Sequence, residues 1–197
     1  MSLESIILPG SYRERSWKID IIALFLIVAF TGLWGIQALS LNDIYMLRAI
    51  LIAGGLALSG ILLSLLIGIP SVTMSIDYNG VAYGLGGFAA IALVKVVTIG
   101  FKLSSLPVFY AMMAVFEELF FRFALYRLLL KVTDCNVPLA AICDAALFMI
   151  YHYMVYPASD IAVNIFVFAS GIILCIIYTL SRSLSAPLIA HILNNIL

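Results

Sequence analysis

One feature recurs along the chain: long apolar runs broken by short polar connectors. The runs at residues 21–41, 49–69, 83–101, 106–130, 137–156 and 161–180 are 19 to 25 residues each. An α-helix needs about 20 to cross a bilayer. Lipid offers no hydrogen bonds, so every backbone group must be paired within its own segment, and runs of this length predict helices. A seventh run, "APLIAHILNNIL" at residues 186–197, is short. It reads as a half-span, a tilted helix packed on its neighbours, or a helix that ends inside the protein. The connectors, such as "LNDIY", "TDCN", "PASD" and "SRSLS", are too short to separate domains. The expected fold is therefore all-α: a polytopic transmembrane bundle of about seven helices, with residues 1–197 forming a single integral membrane domain.

Composition excludes the soluble classes. The chain is 65% hydrophobic and 10% charged, with mean hydropathy +1.20. A soluble domain is nearer half apolar and a quarter charged. The formal net charge of zero makes no electrostatic case for nucleic acid. Cys135, Cys143 and Cys175 lie in or beside apolar stretches without CxxC spacing, which reads as reduced thiols. The first apolar run is too long for a signal-peptide core and lacks a small-residue cleavage site, so it reads as a retained span. Arg13, Arg15 and Lys18 precede it. Arg127, Lys131 and Arg182 fall on the same side of the bundle, and Arg48 and Lys102 on the other. That bias predicts a multi-pass cell-membrane protein with a cytoplasmic N-terminus.

Against this background, "FEELFFRFALYR" at residues 116–127 is costly. A charge inside a span costs roughly 2.5–3.5 kcal/mol on insertion scales, and such residues are usually functional. Glu118 and Arg122 are four apart with the glutamate first, the favourable order for an ion pair on one helix face. Neighbouring helical residues are rotated by about 100°, so Glu117 points elsewhere and is free for another task. The two histidines of the chain also lie in apolar runs: His152, one turn after Phe148 in "FMIYH", and His191, one turn before Asn195 in "HILNN". Glu117, His152, His191 and Asn195 could meet in one intramembrane cavity. They would supply a base, an imidazole and hydrogen-bond donors for a developing oxyanion.

Plainer readings stand beside this one. A Glu–Arg pair can be a structural clamp, the more ordinary role for Glu118 and Arg122. A membrane histidine often bonds across helices, and Asn194 and Asn195 could form an interfacial helix end. Lys95 can snorkel to an interface, Asp144 can pair within the bundle, and Asp160 fits as the cap of the helix that follows. Two histidines and a glutamate could also bind zinc. No HExxH is present, and the ligands would come from three helices; on the residues alone, metal and metal-free sites both stand.

The ordered set "EELFFR", "FMIYH" and "HILNN" matches EExxxR, FxxxH and HxxxN on successive apolar helices. It resembles the CAAX protease and bacteriocin-processing family, the Abi family of type II CAAX prenyl endopeptidases, over about residues 105–197. The resemblance implies a metal-independent glutamate endopeptidase without cofactor, acting on a membrane-associated or lipidated peptide. It implies Glu117 as the general base helped by His152, an oxyanion hole from His191 and Asn195, and Glu118, Arg122 and Phe148 in support. A non-enzymatic immunity or scaffold protein of the same family is the alternative. A proton-coupled transporter ranks below both, because the span pattern shows no two-fold repeat.

Overall fold

The computed structural model describes residues 45–66, 78–100, 106–155 and 160–197. All regular structure among them is helical. The helices are α1 (Tyr45–Leu66), α2 (Tyr78–Thr98), α3 (Pro107–Phe120), a π-helical segment (Phe121–Leu125), α4 (Tyr126–Val132), α5 (Val137–Val155), α6 (Ile161–Ser181) and α7 (Ser185–Ile196). From α3 through the π segment to α4 the helix runs on without a break, as the single run at 106–130 predicts, so the described residues hold six helical rods. The expected first span at residues 21–41 lies outside the described residues, as do Arg13, Arg15 and Lys18.

Three of the rods, α2, α5 and α6, are long and apolar enough to cross a membrane. Large apolar side chains point outward from them, Leu93 and Val97 on α2 and Ile161 on α6 among the most exposed. Water would penalise that surface and hydrocarbon would not. This is an all-α protein with membrane helices.

Local sequence sets the helix ends. Pro107 opens α3, where its missing N–H would have had no partner. Asp160 caps α6 as expected, its Oδ1 accepting from the Val163 N–H at 2.9 Å. At the other end Arg182 adopts the left-handed conformation (φ 56°) and donates its N–H to the Tyr178 carbonyl. The hydroxyls of Ser183 and Ser185, 2.7 Å apart, hold the tight turn that follows. That turn sends α7 back into the bundle, where it packs on α2, α3 and α6. The short seventh run is thus a helix enclosed by its neighbours.

Small residues let the rods approach closely, as they do where lipid provides no hydrophobic drive. A Cβ added at Gly171 on α6 would lie 3.0 Å from Ala145 Cα and Cβ on α5. The Gly171 carbonyl also accepts from Arg122 Nη2 at 3.2 Å. Gly171→Ala should therefore part α5 from α6 and lower stability by about 1–3 kcal/mol. Thermal unfolding in detergent measures this; an unchanged midpoint would show that the contact relaxes freely.

Candidate active site

The two glutamates leave α3 just before the π segment. There the Tyr126 N–H reaches back five residues to the Phe121 carbonyl. Single π turns inside α-helices are rare and frequent at functional sites. Glu117, Glu118 and Arg122 are all buried, at 1%, 0% and 0% exposure. Arg122 Nη1 lies 3.2 Å from Glu118 Oε1, the pair anticipated from spacing.

Glu117 faces a cavity of about 440 Å³. Its walls also carry His152, His191, Asn195, Phe148 and Lys95. Tyr151 donates its hydroxyl to Glu117 Oε1 at 3.1 Å. Oε2 accepts no hydrogen bond among the described residues. Two imidazole nitrogens flank it: His191 Nε2 at 3.5 Å and His152 Nε2 at 3.9 Å.

The far side of each ring settles its orientation. His152 Nδ1 is 3.0 Å from the Phe148 carbonyl. A carbonyl only accepts, so Nδ1 holds the hydrogen, and in the neutral ring Nε2 presents a lone pair toward Glu117. His191 Nδ1 is 2.7 Å from Glu118 Oε1, where the carboxylate accepts. His191 is therefore gripped between two carboxylates. Spacing along the helix assigned Glu118 to Arg122 alone. An imidazole carries nitrogens on opposite edges, so one ring can touch two carboxylates that leave their helix in different directions.

Phe148 fills the space among these groups. Its ring meets His152 at 4.3 Å and His191 at 5.7 Å between centroids, and the Arg122 guanidinium lies 4.5 Å over it. Asn195 lines the same cavity, and its Nδ2 donates to the Tyr110 carbonyl at 3.1 Å. The structure thus brings Glu117, His152 and His191 into mutual reach, with Glu118 and Arg122 behind them and Asn195 on the wall.

Three residues that the sequence left aside join this setting. Tyr151 is the hydroxyl donor to Glu117. Lys95 turns inward instead of snorkelling, its Nζ 3.1 Å from the Asn194 carbonyl on α7. Asp144 lies 3.8 Å from Arg122 Nε and accepts from the Cys175 thiol at 3.2 Å. Asp144, Phe148, Tyr151 and Val155 recur at helical spacing and are all buried. That stripe was the available signal for Asp144 and Tyr151. Cys175 is a free thiol, as are Cys135 and Cys143. Among the described residues, no group of three His, Cys, Asp or Glu side chains is arranged to hold a metal ion.

A family model described as type II CAAX prenyl endopeptidase Rce1-like matches residues 99–197. No curated protein and no solved structure matches the chain.

Proposed function

The chain belongs to the type II CAAX prenyl endopeptidase Rce1-like family, a family of proteases, and from that premise we propose a membrane-embedded glutamate endopeptidase centred on Glu117. The observation behind this is the convergence of His152 Nε2 and His191 Nε2 on Glu117 Oε2 at the cavity. A water admitted there meets a carboxylate oxygen and an imidazole lone pair, both acceptors for its hydrogens.

Glu117 takes one proton of that water as the oxygen attacks the scissile carbonyl, while His152 accepts a hydrogen bond from the other. Tyr151 fixes the carboxylate through Oε1 and leaves Oε2 to act. The carbonyl oxygen becomes an oxyanion. His191 in its doubly protonated form donates through Nε2, and Asn195 offers the amide hydrogen not given to Tyr110. The proton held by Glu117 then passes to the leaving amine, and the peptide bond breaks. No metal or cofactor is needed. The substrate is a membrane-associated peptide, prenylated or bare, entering from the bilayer. A multi-pass location in the cell membrane with a cytoplasmic N-terminus belongs to the same proposal.

The test is cleavage by purified protein in liposomes of farnesylated CAAX peptides and unmodified apolar peptides, with and without a chelator. Wild type should cleave at least one class regardless of chelator. His191→Ala should lose about 10²–10³-fold in rate, the scale of removing one oxyanion donor. Chelator-sensitive cleavage would move the chemistry to a metal. A folded protein that cleaves nothing would instead support the immunity or scaffold role.

A further inference from the structure

Asp144 lies outside the three motifs, yet it closes a buried chain of charges that begins at the cavity. The chain runs from Glu117 to His191 (3.5 Å), His191 to Glu118 (2.7 Å), Glu118 to Arg122 (3.2 Å) and Arg122 to Asp144 (3.8 Å). It ends at the Cys175 thiol, which donates to Asp144 Oδ2 at 3.2 Å. Glu118, Arg122, Asp144 and Cys175 are all completely buried.

One guanidinium is thus shared between two carboxylates, the Gly171 carbonyl and the Phe148 face. The sharing has a consequence for Glu118. Arg122 meets Glu118 through Nη1 while its Nε edge faces Asp144. Without the second carboxylate, no carboxylate among the described residues would hold the Nε edge. The planar fork would be drawn onto Glu118, the two-bond arrangement that arginine and carboxylate favour. The second bond would go to Glu118 Oε2, which accepts none among the described residues. The carboxylate would turn with the guanidinium, drawing Oε1 away from His191 Nδ1, the contact that fixes which nitrogen points at Glu117.

We propose that Asp144 is a positioning residue: by drawing the Nε edge of Arg122 toward α5, it keeps Glu118 available to orient His191 at the cavity. It touches no substrate and acts through Arg122 and Glu118. The consequence for rate rests on the endopeptidase reading; the consequence for His191 does not.

The test uses Asp144→Asn in the full chain, with two readouts. The chain has two histidines, so ring ¹⁵N NMR gives one set of signals for His191 and one for His152. In Asp144→Asn the His191 signals, that of Nδ1 above all, should move as its contact with Glu118 is lost, while those of His152 stay in place. With a peptide the wild type cleaves, kcat should fall about 10–100-fold with KM within about twofold, the range for losing a partner that orients a catalytic ligand. Cys175→Ala removes only the thiol donor to Asp144. It should shift the same His191 signals by a smaller amount, and it decides the matter if Asp144→Asn does not fold. A purely structural Asp144 would lower the unfolding midpoint and leave His191 unchanged. That result, or equal movement of both histidines, would overturn the proposal. If wild type cleaves nothing, the endopeptidase reading fails, and the NMR comparison still decides the role of Asp144.

Discussion

Glu117→Gln should lower the cleavage rate by ~10²–10⁴-fold while the protein stays folded, the range for losing a positioned general base. The amide has the shape of the carboxylate, and its oxygen can still accept from Tyr151, which now lies 3.1 Å from Oε1. What it lacks is a basic oxygen at the Oε2 position, between His152 and His191. Glu117 is 1% exposed, so replacing a buried charge with a neutral amide should cost little stability. Tyr151→Phe is the useful comparison. It removes one hydrogen bond to a charged group, a loss of about 1.5–3 kcal/mol, and so should slow cleavage about 10–100-fold. Initial rates and thermal midpoints of both variants check the ordering. Glutamine retaining wild-type rate would remove Glu117 from the chemistry.

The sequence carried the parts of this site that lie along one helix. Glu118 and Arg122 are four apart, and their 3.2 Å contact is what that spacing predicts. Membrane character was equally plain, since apolar windows mark where helices lie. Their ends were less plain. α2 begins at Tyr78, whereas the apolar run begins at residue 83, because "YNGVA" is helical without being strongly apolar. Contacts between distant segments left no trace in spacing. Nothing local says that Glu118 meets a ring 73 positions later, or that Arg122 also bonds the Gly171 carbonyl. Lys95 illustrates a different limit. Hydropathy placed it in an apolar run, but a long flexible stem can reach an interface or an enclosed carbonyl. Packing of α7 against α2 decided for the carbonyl of Asn194. Tyr151 reads as core from the sequence, as a tyrosine in an apolar run does until an acceptor is seen beside it.

The largest effect on stability is expected at Arg122. Removing one partner from a buried ionic cluster costs about 3–5 kcal/mol, because the charge left behind can be neither solvated nor paired. Arg122→Met would leave Glu118 and Asp144, both at 0% exposure, with no cation between them. It would also vacate the face of Phe148 and the Gly171 carbonyl. Thermal or denaturant unfolding in detergent should show the loss directly. A triple variant, Arg122→Met with Glu118→Gln and Asp144→Asn, separates charge from packing. If uncompensated charge dominates, neutralising both carboxylates should recover much of the stability, as replacing a whole buried ionic set by neutral groups often does. If packing around the guanidinium dominates, the triple variant should stay as unstable as the single one. In either case the triple variant should not cleave at the wild-type rate, because an amide at position 118 no longer offers His191 Nδ1 a charged acceptor. Stability regained without activity would separate two tasks of Arg122: balancing the buried carboxylates and keeping Glu118 set against His191.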